Sequence, residues 1–350
     1  DKADDIWQSF GYYDGLSNDI SAIAIAGDGL KWIAHAQWPG GVSVLDDGGT
    51  PFDKADDSWM TFDTTDQPLL GDVNAIAIEG SHLVWFGTTG GVVVLDHAGT
   101  QFEKGDDQWQ SYTPEDSGLA GDDYVWSIAI DNMGYKWIGV YNEYQLNGGL
   151  NVFDDNGTPL TKDDGDRWQF FDTVDDLSHR WVHAIAIDEA GLKWIATKGR
   201  LNVLDDKGDP FDKLDGDEWQ SFPAGDGYIT DITIDGQGDK WLVTSGGAAA
   251  VDDGGTPMNT SDDQYEGYWL GDGDANHIVA VAAEAEGDIW FGTWDGVHVL
   301  DHGGTPFDQG DDTWRVLTTT HGLLDDRLQD VAVYGEVKYL CPEWGGMHVL

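Results

Sequence analysis

The chain predicts an all-β fold: a seven-bladed β-propeller with four antiparallel strands per blade, forming one domain. Three observations carry this expectation. An acidic segment returns at a period of roughly 50 residues, a hydrophobic run recurs in seven copies, and aromatic residues hold two fixed places in each unit.

The acidic segment is LDDGGTPFDKADDSWMTF at residues 45–62. It returns as LDHAGTQFEKGDDQWQSY from Leu95, FDDNGTPLTKDDGDRWQFF from Phe153 and LDDKGDPFDKLDGDEWQSF from Leu204. Two further copies are VDDGGTPMNTSDDQYEGY from Val251 and LDHGGTPFDQGDDTWRVL from Leu300. The chain opens part-way through another, DKADDIWQSF at residues 1–10, which leads us to expect an N-terminus trimmed by processing.

Each unit holds four short strand-like runs separated by turn-rich segments. In the first unit these are ISAIAIA at 20–26, LKWIAHA at 30–36, VSVLD at 42–46 and WMTF at 59–62. The first run recurs from Val73, Val125, Val182, Ile229, Ile278 and Leu328. It is nearly continuous in apolar character with Ala at alternate positions. That pattern predicts an innermost strand covered on both faces, with Ala letting neighbouring sheets converge near an axis.

The second run carries Trp32, Trp85, Trp137, Trp194, Trp241, Trp290 and Tyr339. The fourth carries Trp59, Trp109, Trp168, Trp219, Tyr265, Trp314 and Trp7. Large rings suit the widening gap between radially arranged sheets. The expected blades span 20–62, 73–112, 125–171, 182–222, 229–268 and 278–317, and the seventh joins 328–350 to an outer strand at 6–10. Closing the ring with both termini in one sheet covers edges that would otherwise invite aggregation.

Units such as DGLSNDISAIAIAGDGLKWIAHAQWPGGVSVLDD resemble the two-component-regulator propeller repeat, through Asp14–Leu16, Trp85–Thr88 with Gly90–Gly91, and Trp290–Thr293. The resemblance covers the whole chain and implies an exported protein, extracellular or periplasmic, since such propellers often form outer parts of sensors or surface proteins. The long acidic third loop departs from that pattern.

Composition narrows the function. With 40% hydrophobic residues and 18 Trp the chain has ample core material. A net charge of -49 argues against nucleic acid and anionic membrane surfaces, and favours cations, basic partners or a high-salt setting. No run of about 18 apolar residues would insert in a membrane. The single Cys341 excludes an intrachain disulfide.

The acidic segments join third to fourth strands and are expected on one rim. An Asp closes the third strand (Asp46, Asp96, Asp154, Asp205, Asp252, Asp301), and another lies two residues before the fourth-strand aromatic (Asp57, Asp107, Asp166, Asp217, Asp263, Asp312, and Asp5 at the N-terminus). Asp53, Glu103, Asp212 and Asp308 stand between them. Clustered carboxylates on a Gly-containing turn suit Ca2+, which takes six to eight oxygens at about 2.3–2.6 Å and accepts backbone carbonyls. Without a cation, each close pair repels by ~1 kcal/mol even in a water-like dielectric. The competing reading is that Asp and Gly make turns here, as they do in many loops.

The opposite face is where the copies diverge. Six of the 18 Trp stand outside the repeat positions, among them Trp38, Trp294 and Trp344 after second strands and Trp126 and Trp181 at the start of innermost strands. With Tyr141, Glu143, Tyr144, His183 and Arg327 they make the expected ligand-binding set, fit to stack sugar rings, hold a cation over an aromatic face, or anchor a protein.

No GxSxG, HExxH, Walker loop or Cys/His cluster is present. The sequence therefore points to a non-catalytic, exported scaffold or binding propeller, with Ca2+ in several acidic loops, a protein or glycan partner on the aromatic face, and self-assembly through the acidic rim. A polysaccharide or lactone lyase at the channel mouth, and the sensing domain of a larger receptor, are the alternatives.

Overall fold

The computed structural model describes residues 6–14, 16, 19–36, 40–142, 147–162, 165–213, 216–223, 227–271, 273, 277–284 and 287–350. Strand β1 (Gln8–Phe10) is set aside for the last blade. Blade 1 holds β2 (Ile20–Ile25), β3 (Lys31–His35), β4 (Gly41–Asp46) and β5 (Ser58–Phe62). Blade 2 holds β6 (Val73–Glu79), β7 (Leu83–Thr88), β8 (Gly91–Asp96) and β9 (Gln108–Tyr112). Blade 3 holds β10 (Val125–Ile130), β11 (Lys136–Asn142), β12 (Asn147–Asp154) and β13 (Arg167–Phe171). Blade 4 holds β14 (Val182–Ile187), β15 (Lys193–Thr197), β16 (Arg200–Asp205) and β17 (Glu218–Pro223). Blade 5 holds β18 (Ile229–Ile234), β19 (Lys240–Thr244), β20 (Gly247–Asp252) and β21 (Gln264–Tyr268). Blade 6 holds β22 (Ile278–Ala283), β23 (Ile289–Thr293), β24 (Gly296–Asp301) and β25 (Thr313–Leu317). Blade 7 pairs β26 (Leu328–Tyr334), β27 (Val337–Pro342) and β28 (Met347–Val349) with β1.

All seven sheets are antiparallel and four-stranded, and the innermost strands touch in a closed circle, β26 meeting β2 as β2 meets β6. The seven-bladed fold expected from the repeat is what forms. Its closure is held by His348, a buried ring opposite Ser9 in the β1–β28 register. Leu324 N donates to its Nε2 at 3.0 Å, which leaves the Nδ1 proton for Ser9 Oγ at 2.9 Å. Burial lowers the pKa of His348 to about 4, so this neutral tautomer persists at neutral pH.

The core differs from expectation in one respect. The second and third strands are the fully buried ones, while most residues of the innermost strands are only half-buried. One face of each innermost strand looks into the axial channel and is not covered by another sheet.

Adjacent blades are clasped by a repeated polar device. Each second-strand Trp is almost wholly buried, and five donate Nε1–H to a carboxylate on the preceding hairpin: Trp85 to Glu79 (2.7 Å), Trp137 to Asp131 (2.9 Å), Trp194 to Asp188 (2.9 Å), Trp241 to Asp235 (2.9 Å) and Trp290 to Glu284 (3.0 Å). The next blade lays a lysine over that ring. Lys136 Nζ lies 4.7 Å from Trp85, Lys193 4.8 Å from Trp137, Lys240 4.2 Å from Trp194 and Lys338 5.4 Å from Trp290. Four of the seven first-position groups of second strands pair with a buried Asp at the start of their own acidic loop: Lys31 with Asp47, Lys136 with Asp155, Lys193 with Asp206 and Lys240 with Asp253.

Blades 2 and 6 change both members together. Val84 and Ile289 replace the lysine, and His97 and His302 replace the Asp. Each histidine ring then packs on the preceding blade's Trp, at 5.6 Å from Trp32 and from Trp241. A buried cation and a buried anion are each costly alone, and in these two blades they are dropped together.

The Gly-Gly entry to the third strand has a steric cause. Gly91 has φ +125, and a Cβ there would meet Tyr112 O at 2.4 Å. Gly91→Ala is expected to destabilise the protein by at least ~1–3 kcal/mol, read as a lower denaturation midpoint. An unchanged midpoint would show that the hairpin can relax around the added carbon.

Candidate functional site at the channel mouth

In all seven blades the register between first and second strands skips one residue at the start of the first. The skipped residues are Ser21, Asn74, Trp126, His183, Thr230, Val279 and Gln329. A bulge re-aims the side chain it carries. Here all seven line one cavity of about 740 Å3 at the mouth of the channel. The position before each of them is Ile, Val or Leu in every blade, but these seven differ from one another. Sequence reasoning found Trp126 and His183 and missed the other five, although the second place of the recurring run, where the copies disagree most, was the available signal.

Polar groups of this ring tie the blades together. Ser21 Oγ donates to Val73 O, and Asn74 Nδ2 to Val125 O at 3.1 Å. At the next position, where most blades carry Ala, blades 5 and 7 carry Asp231 and Asp330. Asp231 accepts from Val281 N at 2.9 Å and Ile232 N at 2.8 Å; Asp330 accepts from Ile23 N at 2.8 Å and Val331 N at 2.8 Å. Burial raises the Asp231 carboxyl to about 6. Burial, and then the charge of Asp231, raises Asp330 to about 7.

The expected aromatic residues form a ladder beside the cavity. Trp126 stacks on Tyr141 (4.9 Å, 16°), which stacks in turn on Trp181 (5.3 Å, 21°) and touches His183 (4.7 Å). Trp126 Nε1 donates to Tyr141 O at 3.1 Å. Lys198 Nζ continues the ladder, 3.9 Å from the Trp181 ring and 4.4 Å from Tyr228. Burial depresses His183 to about 4, so the ring is neutral, and its buried Nε2 has no protein partner. Trp294 and Arg327 belong to a second group: His277 stacks on Trp294 at 3.6 Å, while Arg327 lies 5.0 Å over the same ring and pairs with Glu343 at 3.5 Å. Trp344 is exposed. Trp38, Glu143, Tyr144 and Asp5 lie outside the described residues.

On the other rim the acidic loops divide their carboxylates among distinct tasks. The Asp that closes each third strand accepts from the N–H two residues on: Asp46 from Gly48 (2.9 Å), Asp96 from Ala98 (2.8 Å), Asp154 from Asn156 (2.9 Å), Asp205 from Lys207 (3.0 Å), Asp252 from Gly254 (2.8 Å) and Asp301 from Gly303 (3.0 Å). Asp53 and Asp308 make the same kind of turn with Ala55 N and Gly310 N, both at 3.0 Å. Thr50, Thr100, Thr256 and Thr305 donate to Asp56, Asp106, Asp262 and Asp311 across the loop. The backbone N–H of Glu103 and Asp212 closes turns onto Thr100 O and Asp209 O.

The Asp two residues before the aromatic is different. Both side-chain oxygens of Asp57 and Asp107, and one each of Asp263 and Asp312, are shielded from solvent without a hydrogen-bond partner. Burial and then neighbouring carboxylates push these groups up, Asp107 to about 6. Asp166 and Asp217 hold the equivalent places in blades 3 and 4. Among the described residues no group of three or more His, Cys, Asp or Glu side chains converges as a metal cage. A cation here would draw on backbone carbonyls as well as carboxylates.

No protein-family model matches the chain, and no curated protein matches it. Solved structures do. The extracellular domain of the one-component-system protein BT4673 of B. thetaiotaomicron superposes with a TM-score of 0.68 and 14% identity, covering 98% of this chain and 39% of that one. PorZ, a surface component of the type-IX secretion system of Porphyromonas gingivalis, gives 0.71 and 18%, covering 95% and 46%. Virginiamycin B lyase of Staphylococcus aureus gives 0.67 and 12%, covering 98% of both. This likeness is one of fold, and the chain spans less than half the length of the first two. Extracellular domains of sensor proteins are thus among its structural neighbours, and no described helix is long and apolar enough to cross a membrane.

Proposed function

We propose that this chain is an exported, non-catalytic binding propeller that receives its ligand at the aromatic mouth of the axial channel, acting as a surface scaffold or adhesive module. One observation carries the reading: seven bulges aim seven unlike side chains into a single cavity, and an aromatic ladder forms one wall of it. A rigid closed ring holding a variable lining is how a repeat fold supports a specific site. Ligand sensing by a longer receptor would use the same binding act, and the extracellular sensor domains among the structural neighbours favour it as the second reading.

Binding to a glycan array tests the proposal. Ligands captured by the unmodified chain are expected to lose about tenfold or more in affinity on Trp126→Ala, since truncating an aromatic anchor of a binding site costs about 2 kcal/mol or more. Equal binding by the variant, with its fold intact by circular dichroism, would move the site elsewhere.

The same reading places Ca2+ in the acidic loops as a stabiliser, with adhesion or self-assembly through bridged rims as its use. Its support is the donor set: hard oxygens, a glycine turn, and the shielded, partnerless oxygens of Asp57, Asp107, Asp263 and Asp312. When bound, the ion would supply positive charge that those carboxylates lack.

A further inference from the structure

Resting on the channel-mouth reading, we propose that the ligand group entering this cavity is an ammonium: a quaternary or fully substituted amine held between the Trp126 face and the carboxylates of Asp231 and Asp330. The cavity has an aromatic wall and three lining carboxylates, Asp72, Asp231 and Asp330, and among the described residues no lysine or arginine lines it. Each oxygen of Asp231 and Asp330 accepts one backbone N–H, so about half of the carboxylate acceptor capacity is not taken by these bonds, and both residues line the cavity. Trp126 lines the cavity with 38% of its surface exposed. A cation over an indole face, desolvated and facing carboxylates, is the arrangement in which a quaternary ammonium is bound most selectively. The chain's net charge of -49 draws cations toward any opening and opposes anionic ligands.

The nearby cations are engaged elsewhere. Lys198 is sandwiched by Trp181 and Tyr228, and Arg327 lies over Trp294. The other titratable side chains lining the cavity are Asp72, Tyr141 and His183, and Cys341 lies opposite Asp330 in the β26–β27 register. His183, with a pKa of about 4, stays neutral over the range in which Asp231 and Asp330 titrate.

Choline and its neutral carbon isostere 3,3-dimethylbutan-1-ol share a shape and differ in charge, so titrating each by calorimetry or ligand-observed NMR isolates the charge. Choline is expected to bind at about pH 8 at least tenfold more tightly than the alcohol. Because choline cannot lose its charge, a fall in affinity from about pH 8 to about pH 5 reports the protein's carboxylates alone. Asp330→Asn and Asp231→Asn, made separately, are each expected to weaken choline and leave the alcohol unchanged. Equal binding of the two probes, dependent on Trp126 but not on either Asp, would overturn the ammonium proposal and keep the mouth as the site. Binding of neither probe, with glycan capture still lost on Trp126→Ala, would do the same. Probe binding indifferent to Trp126→Ala would overturn both.

Discussion

Lys136→Met is expected to lower the stability of the propeller by about 3–5 kcal/mol, seen as a large drop in the urea midpoint. Lys136 is fully buried at the seam of blades 2 and 3. Its Nζ lies 2.7 Å from Asp155 and 3.0 Å from Glu79, above the Trp85 ring. Methionine fills much of the same volume but leaves the buried Asp155 without a counter-charge and Glu79 without its partner across the seam. The penalty comes from that stranded charge more than from lost attraction. The chain contains its own control, because blades 2 and 6 place Val84 with His97 and Ile289 with His302 at the equivalent positions. Lys136→Val combined with Asp155→His should therefore recover most of the loss suffered by Lys136→Val alone. A double variant no more stable than the single one would mean that the two positions are not energetically coupled.

This coupling marks where the sequence stops being legible. The period, the aromatic places and the closure by the two ends are local and repeated, so they can be read from one copy against the next. Asp47 is local too, but it stands beside Asp46 and reads as one more carboxylate of an acidic loop. Only the fold separates them: Asp46 makes an exposed turn, whereas Asp47 is buried against Lys31, sixteen positions earlier on the neighbouring strand. The innermost strand shows a second limit. ISAIAIA reads as a strand buried on both faces, yet the bulge at Ser21 shifts its phase and adds the bulged side chain of each blade to the channel lining. A one-residue shift in register leaves no mark in composition. It is why Trp126 and His183 could be suspected from their chemistry, while Asn74 and Gln329 stand out only when the copies are compared place by place.

Removal of calcium is the second large effect expected. After chelation the melting temperature should fall well below that in millimolar Ca2+, because each site filled at about 100 times its dissociation constant contributes ~2.7 kcal/mol, and equivalent loops contribute additively. The direction with pH separates a bound ion from turn chemistry alone. Asp107 has a folded-state pKa raised to about 6 from 3.8, so without metal it binds more protons folded than unfolded, and its contribution to stability declines as pH rises from about 4 to about 6. Ca2+ requires the ionised carboxylate, so its stabilisation should be small near pH 4.5 and grow through that same window. Asp107→Asn should abolish the contribution of one loop and make the chelated protein slightly more stable near pH 7, since it removes a charge that burial and Asp106 disfavour. If Ca2+ leaves the melting curve unchanged at pH 7 while Asp107→Asn still stabilises, the buried aspartates are a cost of the turn and hold no ion. If both the metal effect and its pH dependence appear, the repeated acidic loop is a set of cation sites spaced around one rim, and the proton and the metal compete for the same oxygens.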